Sequence, residues 1–189
     1  MFDSEPYNIQ FIQKASPGIG DAFKYALIYK FFTQAYNTPD KVSERLKYII
    51  RLELHEHDVF TLKYYVARDR KRDDKYSKLT NNSHAQRIFV TCVSLLPQIL
   101  HEYPNASFPF NASRTIDIRN NKAESLNENQ RFRIYRAVVF HFIGDRTFEH
   151  YSFEEVSSYL LVNRKHSNTD MMKDLIRESF LNIYDFGDL

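Results

Sequence analysis

Tyr7, Ile9 and Phe11 alternate with Asn8 and Gln10, which predicts a strand within residues 7–16 that turns one face to a core. Ser16-Pro17-Gly18-Ile19-Gly20-Asp21 then reads as a turn. Residues 23–34 are almost continuously apolar and aromatic, a run that suits a strand or a buried helix and is read here as a strand. Asn37-Thr38-Pro39-Asp40 breaks it, and residues 40–45 are polar enough for a loop or one exposed helical turn. The clearest alternation covers residues 48–67. Tyr48, Ile50, Leu52 and Leu54 are followed, after His55-Glu56-His57-Asp58, by Phe60, Leu62, Tyr64 and Val66. That pattern predicts a hairpin with one apolar face.

Helical spacing takes over in the second half. Thr80-Asn81-Asn82-Ser83 offers side-chain oxygens for a helix start, and Ile88, Cys92, Leu95 and Ile99 form a core stripe over residues 84–101. Pro97 predicts a kink or an early end there. After Tyr103-Pro104-Asn105, Ala106, Phe108 and Phe110 alternate in a short strand that Pro109 marks as an edge or a strand end. Residues 115–124 read as a polar loop. Ser125-Leu126-Asn127-Glu128 has the form of a capping box for a second helix, with Tyr135, Val138, Val139 and Phe142 inward and Gly144 at its end. A last strand is expected within residues 151–163, centred on Tyr159-Leu160-Leu161-Val162. A last helix, capped from Ser167-Asn168-Thr169-Asp170, carries Met172, Leu175, Ile176, Phe180 and Ile183. The order predicts an α+β fold: a mostly antiparallel sheet of about five to six strands with two or three helices packed on one face. Residues 1–165 would form one domain and residues 166–189 a C-terminal helical extension.

Composition narrows the class. The chain has 189 residues, 43% of them hydrophobic, and a net charge of +2, which excludes a wholly disordered chain and a polybasic tail. Aromatic residues reach 15% without tryptophan, a bias toward pleated, half-buried surfaces. One cysteine, Cys92, cannot form an internal disulfide, and no leader-like start or run of about 20 apolar residues is present. A cytoplasmic protein with no membrane association is expected.

Ser16-Pro17-Gly18-Ile19-Gly20 with Lys24, Asp73-Asp74, Thr80-Asn81-Asn82, Val90-Thr91-Cys92-Val93, Tyr103-Pro104-Asn105-Ala106, Ser113 and Arg131-Phe132-Arg133-Ile134-Tyr135 follow one another in an order that resembles a small bacterial domain of unknown function common in Bacteroidota. The likeness covers roughly residues 7–164 and leaves the final helix outside. Asn81-Asn82-Ser83-His84 stands where that family tends to have Asn-Asn-Gly-Asp, and Ala112-Ser113 where it has Gly-Ser. The resemblance implies a fold and brings no assigned activity.

Two clusters carry candidate chemistry. Arg133 and Arg136 share a helix face that Arg131 and Arg114 could join, and with Ser113 they would form an anion-binding pocket, since guanidinium forks hold phosphate or carboxylate bidentately. The competing reading is a solvated face paired with acids such as Glu128. His55 and His57, two apart, are weak candidate metal ligands that need a third ligand from elsewhere. Residues 68–78 hold six basic residues against three acidic ones, the composition of a nucleic-acid contact or of a solvated connection. The acidic last helix could dock on the sheet, cover a basic patch, or pair with a second copy through Met172 and Phe180. Gly18-Ile19-Gly20 lacks the context of a dinucleotide loop, and Cys92 lies on a core stripe. The leading expectation is a non-catalytic binding module, without cofactor, whose arginine-rich helix face meets nucleic acid or an acidic protein. The alternative is a metal- or histidine-assisted phosphodiesterase or nuclease using His55 and His57 with Arg133.

Overall fold

The computed structural model describes residues 5–38, 41–77, 84–117 and 122–183. In chain order these form β1 (Gln10–Ala15), β2 (Tyr25–Phe32), β3 (Tyr36–Thr38), β4 (Lys41–Ser43), β5 (Lys47–Leu54), β6 (Phe60–Val66), α1 (Ala85–Val93), α2 (Leu96–Glu102), β7 (Phe108–Asn111), β8 (Ile116–Asp117), β9 (Lys122–Ala123), α3 (Gln130–Phe142), β10 (Phe148–Phe153), β11 (Ser158–Asn163) and α4 (Thr169–Ile183). The class is α+β with antiparallel sheets, as the element order implies. The strands divide between two main sheets, ordered β1-β2-β5-β6 and β10-β11-β7, with two small hairpins beside them.

Local chemistry explains most elements. The hairpin of β5 and β6 keeps one register throughout, from Tyr48 opposite Val66 to Leu54 opposite Phe60. Its even-numbered apolar positions Tyr48, Ile50, Leu52, Phe60 and Val66 join the main core with Phe89, Phe108 and Phe132. β1 departs from its expected half-buried pattern: it is an outer strand with Phe11 and Ile12 exposed, and Tyr7, which precedes it, is the buried aromatic. The helix expected over residues 84–101 is two helices. The chain turns at Ser94 and Leu95, and Pro97 sits in the first turn of α2, where its missing N–H costs no helical bond. The cap expected within residues 80–83 lies outside the described residues, as do Asp40, Lys78, Asp185 and Asp188.

Four further expectations are corrected. Residues 41–43 form a strand paired with β3, and the segment read as a polar loop over residues 115–124 contains the hairpin of β8 and β9. Residues 148–163 hold two strands, because a 3-10 turn at Glu154–Val156 and a left-handed Ser157 (φ 50°) reverse the chain between them. In α3 the residues Tyr135, Val138 and Val139 are buried as expected, but Phe142, at the final turn, is 44% exposed.

β11 decides how the layers stack. Tyr159 and Leu161 face the main core beneath α3, whereas Leu160 and Val162 belong to a second apolar cluster with Val59 and Ile176, against which Met172 and Phe180 pack. A strand buried on both faces reads as a continuous apolar run, which is why periodicity is lost there. Met172 and Phe180 of α4, considered above for a second copy, thus pack partly buried against the chain's own sheet. Among the described residues no helix is long and apolar enough to cross a membrane.

Candidate functional site: a cavity between the two sheets

β6 and β7 are the facing edges of the two sheets. They meet at one parallel bridge, Val59 with Ser107, where Ser107 N donates to Asp58 O at 3.2 Å and Phe60 N to Ser107 O at 2.9 Å. Past that bridge the edges are not paired. A cavity of about 630 Å³ opens there, lined by Thr61, Leu62, Lys63 and Tyr64 of β6 and by Pro109, Phe110 and Asn111 of β7. Arg131 and Tyr135 of α3 close one side and Ile176, Arg177 and Phe180 of α4 the other. The volume is that of a small-molecule or peptide side-chain site, and the wall is mainly apolar and aromatic with a few polar groups.

The polar groups have defined states. Tyr64 and Tyr135 share a hydroxyl hydrogen bond of 2.9 Å, and burial pushes both phenols up from their ordinary value of 10, Tyr64 strongly. Burial also pushes Tyr76, across from Arg131, up to about 12. These phenols are neutral hydrogen-bonding groups at any physiological pH, so they add no negative charge to the wall. On the outer face of β5 and β6, the buried Glu53 carboxylate takes Lys63 Nζ at 2.7 Å and Arg51 Nε at 3.0 Å. Lys63 therefore reaches the cavity wall as half of an ion pair. Among the described lining residues Arg131 and Arg177 are the other cations and Glu155 is the carboxylate.

The structure separates the five residues of the expected anion pocket. Ser113 and Arg131 both line the cavity, where Arg131 Nη1 donates to the Tyr76 carbonyl. Arg136 is held by Glu128 at 3.0 Å and Glu154 at 2.9 Å, and Arg133 donates to the Glu128 carbonyl at 3.1 Å. Arg114 is exposed outside the cavity lining. All three guanidiniums on the helix are thus engaged by the chain's own oxygens, and of the three Arg131 is the one that lines the cavity. The basic segment is likewise knit internally, with Arg72 gripping Asp74 through two bonds of 2.7 and 2.8 Å and Arg68 paired with Glu44.

His55 and His57 do not converge. β5 ends at Leu54, so the two-residue spacing no longer places both imidazoles on one strand face. His55 is buried, with Nδ1 3.3 Å from Ala22 O and Nε2 3.1 Å from Thr61 Oγ1, while His57 sits exposed in a 3-10 turn with φ of 58°. Among the described residues no group of three His, Cys, Asp or Glu side chains is placed to hold a metal. Cys92 is fully buried in the core, and burial raises its thiol well above the ordinary range.

Sequence reasoning missed Lys63, Tyr64, Tyr76, Pro109, Phe153 and Arg177 as one site. The signal was the tyrosine excess in a chain without tryptophan; nothing in the spacing says that these rings meet. No family model, curated protein or solved structure matches this chain. What defines the molecule is its architecture: an α+β fold whose two antiparallel sheets enclose an aromatic cavity between unpaired edges.

Proposed function

We propose that this protein is a binding module for an anionic partner, and that the partner's anionic group enters the cavity between the sheets. The observation that carries this reading is the 630 Å³ space with a largely apolar wall that includes both Ser113 and Arg131. An apolar body would be desolvated against Phe110, Phe153, Leu160 and Phe180, while Arg131 supplies charge and hydrogen-bond donors in a low-dielectric setting. This keeps the anion recognition expected from the helix but moves it from the outward face, where Arg136 is already neutralised, to the inward-turned Arg131.

The test uses 8-anilinonaphthalene-1-sulfonate, an aromatic sulfonate whose fluorescence rises in apolar sites. It is expected to bind saturably to the folded protein. Arg131→Met should weaken it about tenfold, the loss of one charge-assisted hydrogen bond. Ser158→Trp, which adds an indole at the cavity wall, should abolish binding while the far-ultraviolet circular dichroism stays native in form. Dye binding that survives cavity filling would refute the reading.

A further inference from the structure

The bond between Tyr64 and Tyr135 leaves a donor over. Each phenol carries one O–H, and the 2.9 Å contact between the two oxygens uses one of those hydrogens. The hydroxyl that accepts within the pair keeps its own hydrogen, and among the described residues neither oxygen has a second partner. Burial pushes both phenols up, so that hydrogen stays in place at physiological pH and is available to an acceptor. A part-buried donor without an acceptor costs free energy until one arrives. Both tyrosines line the cavity, and so does Arg131. The Arg131 charge opposes the upward push of burial on both phenols, which puts guanidinium and hydroxyls in one neighbourhood. Its bond to the Tyr76 carbonyl engages Nη1, and a guanidinium has five N–H donors to distribute. Tyr64, Tyr76, Arg131 and Tyr135 also border a void of about 70 Å³, too small for an organic ligand, so an acceptor with a body of its own reaches them from the large cavity.

The other cations set the charge that a ligand can carry there. Lys63 is matched by Glu53 at 2.7 Å, and Lys75 borders only the small void. Arg177 is exposed on the α4 side, its guanidinium 5.6 Å from the centre of the Phe153 ring. Among the described lining residues this leaves Arg131 to meet a ligand's charge beside the hydroxyl pair. One guanidinium and one spare O–H match the two oxygens and the single charge of a carboxylate. A dianionic phosphate would keep one charge uncompensated against a largely apolar wall. We infer that the ligand is a lipophilic monocarboxylic acid, its carboxylate held by Arg131 together with the spare hydroxyl of the Tyr64–Tyr135 pair and its hydrocarbon body packed against Phe153, Leu160 and Phe180. This rests on the cavity reading above and names its ligand.

The experiment is titration calorimetry on the full chain at about pH 8, with decanoate, 1-decanol and decyl phosphate below their micellar concentrations, alongside displacement of 8-anilinonaphthalene-1-sulfonate. Decanoate is expected to bind saturably and to displace the dye, and the alcohol and the dianionic phosphate to bind at least about tenfold more weakly. This comparison needs no variant. The double variant Tyr64→Phe/Tyr135→Phe keeps both rings and removes both hydroxyls at once, so no donor is stranded and its urea midpoint should not fall. Its affinity for decanoate should drop about tenfold and that for 1-decanol by less. Decanoate binding that the double variant leaves unchanged, or decyl phosphate binding as tight as decanoate's, overturns the monocarboxylate assignment. If the dye binds and decanoate does not, the assignment is overturned while the cavity reading stands. If neither dye nor decanoate binds, both fall.

Discussion

His55 shows how much the state of one side chain depends on its neighbours. Nδ1 lies 3.3 Å from the Ala22 carbonyl and Nε2 3.1 Å from the Thr61 hydroxyl, which itself donates to Glu53 Oε2 at 3.4 Å, so the ring sits in a chain of hydrogen bonds that ends on the Glu53 carboxylate. Phe180 of α4 packs edge-on to the ring at 5.3 Å. Burial lowers its pKa from the ordinary 6.5, against an opposing pull from Glu53, with a further lowering from Lys63. Because the folded pKa lies below the unfolded one, the unfolded chain takes up the proton first as pH falls. Stability is thus undiminished above about pH 6.5 and declines as pH drops from there toward the folded value. The midpoint of thermal unfolding should fall over that window, and His55→Gln, which retains one donor and one acceptor, should remove part of the fall in a difference curve. A variant with the unchanged pH profile would contradict this. The sequence shows the His55-Glu56-His57-Asp58 cluster and suggests a shared metal; it does not show that the strand stops one residue before it, and that single boundary sends one imidazole inward and the other to solvent.

At the scale of elements, α3 was legible and its start was not. The inward positions follow from helical spacing, and Gly144 at φ 63° ends the helix as expected. The capping box is replaced by Asn129. Ser125 Oγ accepts from Asn127 N at 3.1 Å, a local turn, and left-handed Glu128 (φ 45°) redirects the chain before the helix begins. Asn129 Oδ1 then caps Phe132 N at 2.9 Å, its Nδ2 donates to Ala112 O at 2.5 Å, and its own N–H donates to Ser157 Oγ at 3.0 Å. One buried residue thereby ties α3 to the ends of β7 and β11, and so sets where Arg131, two residues on, meets the cavity. Asn129→Ala leaves a buried donor and acceptor unmet and should cost about 2 to 3 kcal/mol in urea unfolding. Asn129→Asp restores the cap without the bond to Ala112 and should recover part of that loss. Both Ser125 and Asn129 suit an N-cap in sequence, and only the bonds to β7 and β11 choose between them.

For the whole molecule the decisive place is the bridge between the sheets. Ser107 is fully buried; its main chain joins β6, and its Oγ accepts from Asn163 N at 3.1 Å, while Asn163 Nδ2 donates to Pro104 O at 2.9 Å. Ser107→Ala strands the Asn163 N–H and should cost about 1 to 3 kcal/mol. Hydrogen exchange should quicken at Asn163 and Phe60 more than in the interior of β2 and β5. Uniform protection across both sheets would mean that the bridge does not hold them together.

The sequence by itself determined the α+β class, the hairpin of β5 and β6, the core stripes of α1 and α3 and the docking stripe of α4. Each is a local matter: the alternation of apolar residues at period two or 3.6 is set by the backbone geometry of the element that displays it. It also marked Arg131 and Ser113 as candidates for anion recognition. Only the tertiary structure decided that the strands form two sheets instead of one. The same level of structure consumed Arg136 in pairs with Glu128 and Glu154 and left a cavity between two unpaired edges. The physical reason is that a strand's pattern records which faces are buried, whereas its edges are read by a partner strand through main-chain groups that every residue carries alike.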